Sequence, residues 1–496
     1  MRSLIATCVG LSMAALPGPG HYSANAQTGT VPTQTSQPAT PQIAQQPAAA
    51  VAQADAIPFT TGLWRRDTFL GDAGGLRTQL GGMGVSFGLQ DINEAWGNAT
   101  GGRNRGAVYD GLTLFGVGLD TGKAFGWEGG TFNFSAFQIR GRSLASDNLL
   151  SLQTNSGINA QGTTRLWEVW YQQVIAEGMA DVKIGQQSLD QEFMTSAGSA
   201  LFLNTMMGWP TVPSANLYAG GPAYPLSSLG VRLRVRPSDN ITLLGGVFQD
   251  NPPGGPFDND SQLRGSTRWG GNFNLRTGAL AIAEAQYTIN QPSTGDMDRG
   301  EGTPGLPGTY KLGAWYDSAA FPSQQYDTAG IPLASPLSNG APRMLRPNWS
   351  VYGVADQVVW RPDPEAPQAV GVFARAMGGP GDRNLISFSL NAGVTLKAPL
   401  PGRDDDTFGV GFGVARLSGG AIGFDQDVNR YGGRVPVRSA ETFVEVTYQF
   451  TIAPWWQVQP DFQYVFMPGG GIANPNQPGK RIGNEAVFGL RSTITF

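Results

Sequence analysis

From residue 84 to its last residue the chain alternates apolar and polar side chains over stretches of about ten residues, separated by turn-like segments. A period of two puts every second side chain on one face of a strand. The last stretch is the clearest: Phe488, Leu490, Ser492, Ile494 and Phe496 share one face, and Val487, Gly489, Arg491, Thr493 and Thr495 share the other. Trp456, Val458, Phe462, Tyr464 and Phe466 oppose Gln457, Gln459, Asp461 and Gln463 in the same way. Phe408, Val410, Phe412 and Val414 alternate with three glycines, while Val444, Val446, Tyr448 and Phe450 alternate with Glu445, Thr447 and Gln449. Pro460 falls on an apolar face and has no N–H to donate, so a local bulge is expected there.

A soluble sandwich shows the same alternation, with one face in a core and the other in water. Composition separates the two. Charged residues make up 14% of the chain, against about 25% in soluble domains. Aromatic residues gather at the strand ends, as they do at membrane interfaces. Beyond the N-terminus no run reaches the ~20 uncharged apolar residues that a membrane helix needs. A membrane protein of this sequence must therefore cross with strands that close on themselves, because lipid leaves an open edge unsatisfied.

Residues 1–26 read as a signal peptide, with Arg2 as the charge, Leu4 to Leu16 as the apolar stretch, and Ala24-Asn25-Ala26 as the cleavage site. A lipoprotein cysteine at Cys8 is the competing reading; Thr7 before it and the short apolar stretch weigh against that. Residues 27–57, rich in Gln, Ala, Pro and Thr, cannot bury enough apolar area to order themselves and read as a flexible periplasmic leader. Residues 58–83 form a periplasmic segment in which Asp72 can cap one short helix over 73–80. The barrel occupies 84–496.

Strands are expected near 84–96, 107–119, 130–140, 163–174, 180–187, 229–236, 241–249, 279–290, 309–317, 351–360, 368–377, 385–396, 407–416, 440–452, 455–466 and 485–496. A seventeenth stretch at 267–276 is set aside, because single-chain bacterial barrels have even strand numbers. Both chain ends then lie on the periplasmic side. Segments 237–240, 361–364 and 452–454 become short periplasmic turns, and 188–228, 250–278, 318–350 and 417–439 become outer loops. Only 291–308 is longer than a periplasmic turn should be. The expected fold class is all-β, a transmembrane antiparallel barrel of sixteen strands with long extracellular loops constricting the lumen.

Cleavage after Ala26 removes the only Cys, Cys8, and the only His, His21. A Ser-His-Asp triad, a Cys nucleophile and the usual zinc sites are then impossible. Asp258-Asn259-Asp260 and Asp404-Asp405-Asp406 are the oxygen clusters left for Ca²⁺ or carboxylate chemistry, and both read first as solvated turns. No cofactor and no metal are expected, and the excess of acid over base, with no cluster of Lys and Arg, argues against nucleic acid.

A channel needs only a hydrated lumen, a constriction and a selective charge pattern. Alternation in Val231-Arg232-Leu233-Arg234-Val235-Arg236 stacks Arg232, Arg234 and Arg236 on the lumen side, where they either bind solute oxygens or pair with lumen carboxylates. In the 165–172 stretch Glu168 and Gln172 are placed inward and Trp167, Val169 and Tyr171 outward. Glu168 accepts from a sugar hydroxyl or, more commonly, from a lumen arginine. Lys183, Glu284 and Gln286 face inward by the same parity. The 188–228 segment carries Phe193, Phe202, Trp209, Tyr218 and Tyr224. Folded into the barrel, Phe202, Trp209 and Tyr218 would offer flat surfaces for sugar C–H faces, or would pack only against one another.

Five spaced motifs then carry a resemblance: Gly71-Asp72-Ala73-Gly74-Gly75-Leu76-Arg77, Glu94-Ala95-Trp96-Gly97-Asn98, Phe125-Gly126-Trp127-Glu128-Gly129-Gly130, Arg165-Leu166-Trp167-Glu168-Val169-Trp170, and Gln459-Pro460-Asp461-Phe462-Gln463-Tyr464 with Pro468-Gly469-Gly470. In this order, from about residue 69, they make the chain similar to the carbohydrate-selective porins of the OprB type. Ala73 departs from the pattern, where relatives carry Trp. The resemblance implies sixteen strands, inward-folded outer loops, arginines at the eyelet and passive uptake of monosaccharides such as glucose across the outer membrane of a Gram-negative bacterium. It also implies contact with outer-membrane lipids and handling of terminal Phe496 by the barrel assembly machinery. Such barrels often form homo-trimers, but nothing in the sequence selects the strands. The alternatives are a channel for polyols or organic acids and, less favoured, a barrel enzyme or a surface adhesin.

Overall fold

The computed structural model describes residues 62–257, 269–271, 273–290, 305–363 and 366–496. Among the described residues twenty strands follow the chain: β1 Val85–Thr100, β2 Gly106–Asp120, β3 Gly130–Gly141, β4 Thr163–Ile175, β5 Ala180–Gln187, β6 Ser228–Ser238, β7 Ile241–Gln249, β8 Ala279–Ile289, β9 Gly308–Asp317, β10 Phe321–Asp327, β11 Pro342–Leu345, β12 Asn348–Trp360, β13 Ala369–Gly378, β14 Ile386–Lys397, β15 Thr407–Leu417, β16 Ala440–Ala453, β17 Trp456–Phe466, β18 Ala473–Asn474, β19 Gln477–Arg481 and β20 Glu485–Thr495. Sixteen of them close into one antiparallel barrel, with β1 paired to both β2 and β20. The other four form two hairpins, β10 with β11 and β18 with β19, in loops at the end of the barrel away from the chain termini. All sixteen expected strands are present, and the described residues of 267–276 hold no strand.

The outward faces of the barrel strands are mostly apolar, while the inward faces mix polar and small side chains with buried apolar ones such as Leu112, Phe373 and Phe443. In β6, Val231 and Leu233 are exposed whereas Arg232 is 1% exposed. An outward face of this kind suits hydrocarbon, and closure leaves no unpaired edge inside it. Two local expectations fail. Around Pro460 the β16–β17 ladder runs from Thr442↔Phe466 to Thr447↔Asp461 and resumes in the same register at Phe450↔Val458, so no residue is inserted. The bulge lies in β4 instead, where Ser135 and Ala136 of β3 face Glu168 and Leu166 and Trp167 is the extra residue. Trp167 therefore turns inward rather than outward, 2% exposed and tilted against Phe137 at 5.5 Å.

A helix at Leu76–Gly82 precedes the barrel, close to the expected place. Asp72 accepts from the Thr78 amide at 2.9 Å and the Thr78 hydroxyl at 3.0 Å. Arg77 donates to the Phe87 carbonyl at 2.8 Å and to terminal Phe496 at 2.5 Å, which fastens the start of the barrel to its end.

Candidate functional site

Two loops at the end away from the termini fold into the lumen. Residues 188–227, between β5 and β6, cross to the far wall. Each crossing point pairs a loop backbone group with a lumen side chain. Glu284 of β8 accepts from the Met194 amide at 2.8 Å and from the Tyr352 hydroxyl at 2.8 Å. Lys311 of β9 donates to the Thr195 carbonyl at 2.7 Å, and Asp356 of β12 accepts from the Ser196 hydroxyl and the Gly198 amide. Arg375 of β13, 1% exposed, donates to the carbonyls of Met194, Met206, Met207 and Gly208 at 2.6, 2.6, 3.0 and 2.8 Å. Glu445 of β16 accepts from the Leu203 amide at 2.5 Å. Glycines 409, 411 and 413 of β15 leave room for this loop. A Cβ on Gly411 would stand 2.8 Å from both Met207 Cε and a Phe202 ring carbon.

The second loop, 142–162 between β3 and β4, meets the first. The Gly157 amide donates to the Leu203 carbonyl at 2.8 Å, and the Tyr224 hydroxyl donates to the Ile158 carbonyl at 3.0 Å. Glu441 of β16 accepts from the amides of Leu152 and Gln153, each at 2.7 Å. Nothing in the alternation pattern marked this loop. Its path depends on wall positions hundreds of residues away in sequence.

The expected arginine row faces the lumen, and the loop reaches it. Glu192 pairs with Lys183 and with Arg232, whose Nε lies 2.6 Å from Glu192 Oε2. Arg232 also pairs with Asp181, and it donates to Gln172 at 3.1 Å. Arg234 pairs with the second Asp181 oxygen at 2.6 Å and keeps about a quarter of its side-chain surface open. Lys183 lies over the Trp170 ring at 4.7 Å. Arg236, at the end of β6 nearest the chain termini, is exposed. Burial tends to raise the Glu192 pKa, but Lys183 and Arg232 outweigh it and hold the carboxyl at about 2. On the same loop, burial lifts Asp190 to about 6 against hydrogen bonds from Ser188 and the Tyr224 amide.

The remaining expected residues turn out to position the loop. Glu168 accepts from the Ser188 amide at 2.8 Å and the Trp170 indole at 3.3 Å rather than from an arginine. Glu284 is taken up by Met194, Tyr352 and Gln286. Trp209, 1% exposed, donates to the Gly220 carbonyl at 2.9 Å. Phe202 packs on Phe373 at 5.5 Å, and Tyr218 packs on Phe257 and Phe321 while donating to the Ala320 carbonyl. These three aromatics are buried against the wall and neighbouring loops and offer no open stacking face.

Sequence reading missed Glu192, Arg375 and the pair Arg491–Glu94, closed at 2.5 Å across the β1–β20 seam. A lone acid in an aromatic-rich loop carried no signal. Lys183, Arg232 and Arg234 on β5 and β6 are met by Asp181 and Glu192, and Glu94 on β1 is met by Arg491 on β20. Among the described residues no group of three or more His, Cys, Asp or Glu is placed to hold a metal. Asp406 is taken up by Arg403, Tyr448 and the Thr451 amide, so it braces a turn, and Asp258–Asp260 lie outside the described residues.

Comparison with known proteins agrees with this architecture. The family model described as carbohydrate-selective porin, OprB family, matches residues 104–496. Porin B of Pseudomonas aeruginosa is 26% identical over 419 residues, 81% of this chain and 87% of the relative. A putative porin QuiX of Acinetobacter baylyi is 23% identical, covering 87% of this chain and 94% of the relative. The high-pH structure of Pseudomonas putida OprB superposes with a TM-score of 0.76 at 24% identity, over 88% of this chain and all of that one. The chain belongs to the carbohydrate-selective porin OprB family, and it is a sugar-selective channel of the Gram-negative outer membrane.

Proposed function

We propose that this channel passes monosaccharides such as glucose by passive diffusion, gripping them with polar groups at the rim of the 188–227 loop rather than with aromatic faces. The observation that carries this reading is that the loop is fastened to both sides of the lumen while Arg234, Glu192 and Arg491 keep part of their side chains open. Arginine forks donate to hydroxyl oxygens and carboxylates accept from hydroxyl protons, so a sugar between them has both halves of its hydroxyls satisfied. Gln172, beside Arg232, adds an amide to that rim. Arg232, Lys183, Glu168 and Glu284 act through the loop they hold, and Arg236 acts at the periplasmic mouth. Phe202, Trp209 and Tyr218 give the loop its body.

Passage through such an opening breaks and makes no covalent bond, and Glu94, Glu441 and Glu445 are engaged with Arg491 or with loop amides. The chain therefore acts as a pore and not as an enzyme. Cleavage after Ala26, a periplasmic leader over 27–57, contact of the outward apolar faces with outer-membrane lipid, and delivery to the assembly machinery through Phe496 complete the reading.

Single-channel recording in planar bilayers tests it. Glucose is expected to reduce a steady conductance, and an organic acid of similar size to reduce it less. Block by the acid alone replaces the sugar with an anion as the solute. Absence of any conductance from folded protein removes the channel.

A further inference from the structure

Among the described barrel-strand residues, the charges on the outward side are Asp91, Arg140 and Arg416. Asp91 and Arg140 pair with each other at 2.8 Å, whereas Arg416 has no ion-pair partner among the described residues. Its direction is fixed by its neighbours: Ala415 and Leu417 are buried inward, so the exposed Arg416 between them points away from the lumen. It stands near the outer end of β15. The nine residues from Thr407 to Arg416 extend roughly 30 Å at about 3.3 Å each, close to what a tilted strand needs to cross an apolar band about 25 Å tall. Phe388, paired with Arg416 across the β14–β15 ladder, and Phe466 at the outer end of β17 are both exposed at that height. Arg416 therefore sits where hydrocarbon gives way to headgroups.

More positive charge stands directly above it. Between β15 and β16, Asn429 donates to the Val435 carbonyl at 2.9 Å and accepts from the Val435 amide at 2.8 Å, closing a turn on which Arg430 and Arg434 are exposed. The β18–β19 hairpin leans on the same segment, where Arg481 donates to the Val437 carbonyl at 2.9 Å and stays exposed beside Lys480. The two acids of the 418–439 segment are engaged elsewhere, Asp425 with Arg438 at 2.8 Å and Asp427 with the Gln325 amide at 2.7 Å. The 467–484 segment carries none. Arg416, Arg430, Arg434, Lys480 and Arg481 thus form one exposed basic rim over β14 to β17, and no described carboxylate pairs with any of them.

We propose that this rim binds a phosphate-bearing glycolipid of the outer leaflet, with Arg416 donating to a phosphate at the acyl boundary and the four bases above it to phosphates farther out. Guanidinium forks match phosphate oxygens in pairs, and clustered Lys and Arg beside a membrane gather anionic headgroups. A funnel for anionic solutes would turn its charge toward the lumen. Arg416 turns the other way, with an aromatic ring at its side to meet the acyl chains, and this favours a lipid. The rim shares no residue with the lumen groups that meet the solute.

Binding of bisphosphorylated lipid A to the folded protein in detergent, at fixed salt, is compared with binding of the same lipid stripped of its phosphates. The phosphorylated lipid is expected to bind at least tenfold more tightly. Arg416→Gln with Arg434→Gln and Arg481→Gln is expected to lower that affinity at least tenfold and to leave single-channel conductance and glucose block unchanged. Lys123→Gln with Lys397→Gln, exposed bases at the end nearer the termini, is expected to change nothing. Equal binding of the two lipids, or equal loss in both sets of variants, would overturn the proposal. Inorganic phosphate that binds as tightly as the lipid would assign the rim to a free ion instead. A triple variant that keeps its lipid but passes anionic solutes less readily would assign it to the channel mouth. If the triple variant does not fold, the comparison of the two lipids on the native protein still decides.

Discussion

Glu192 joins Arg232 across the mouth of the loop, one side chain from the inward segment and the other from the wall of β6, with Lys183 on the same carboxylate. Removing one member of a buried ion pair costs about 3–5 kcal/mol, because the partner is left uncompensated. Glu192→Gln is therefore expected to free the loop from β5 and β6, raise single-channel conductance and weaken block by glucose. An unchanged conductance from a heat-modifiable, folded barrel would show that the clasp does not hold the loop.

The same clasp sets a pH window. The folded Glu192 pKa is held near 2, below its ordinary 4.5, so its contribution is complete above about 4.5 and is lost as pH falls from there toward 2. Asp190 runs the other way. Its pKa is raised to about 6 by burial, so the docked loop gains stability as pH falls through 6. Conductance is expected to hold steady from pH 7 to about 4.5 and to rise below it. An opening transition centred near pH 6, recorded in a bilayer titration, would contradict this.

Arg232 and Arg234 are two residues apart and are expected to differ in effect. Arg232 is 1% exposed and serves Asp181, Gln172 and Glu192, so Arg232→Ala should destabilise the folded loop by about 3–5 kcal/mol. Arg234 is partly open and pairs with Asp181, so Arg234→Ala should leave the thermal transition nearly in place and weaken glucose block severalfold. Equal thermal shifts in the two variants would undo the distinction.

Arg375 donates to four loop carbonyls from β13. Hydrogen bonds from a charged donor contribute about 1.5–3 kcal/mol each, though not additively, and the carbonyls are left buried when the donor goes. Arg375→Met is expected to release the 194–208 stretch, seen as new protease cleavage there and as loss of discrimination between monosaccharides and disaccharides in liposome swelling. A variant that resists protease and keeps its discrimination would assign the anchoring instead to Glu445 and to Asn391 of β14, whose side-chain amide donates to the Met206 carbonyl at 3.2 Å.

Gly411→Ala puts a methyl group where Phe202 and Met207 sit. Overpacking of this kind costs about 1–3 kcal/mol. The expected outcome is a lower thermal midpoint with the barrel strands intact by circular dichroism. A midpoint equal to that of the parent would mean that the loop shifts freely over β15.

The barrel strands were legible because lipid on one side and water on the other impose a period of two on every crossing. Val231, Leu233 and Val235 show it as plainly as any. The glycines at 409, 411 and 413 were visible as the inward half of a strand, but their purpose was not, since it depends on a loop 200 residues earlier. Trp167 was misplaced for a related reason: one inserted residue reverses facing, and nothing in Arg165-Leu166-Trp167-Glu168 distinguishes a bulged strand from a regular one. Loop residues such as Glu192 answer to neither lipid nor period. Their positions are set by which wall side chains they meet, and Arg232 was readable as an inward charge without its partners.

Arg77, Phe87 and Phe496 fasten the first barrel strand to the last. The Phe69 ring packs on Phe496 at 5.6 Å and on Trp455 at 4.9 Å. For anyone labelling the protein, this decides where a tag can go. Residues added after Phe496 would have to leave through the Phe69, Arg77 and Trp455 cluster, prising open the seam between the first and last strands. The exposed stretch at 431–435, on the outer face of the molecule, makes no such demand on closure.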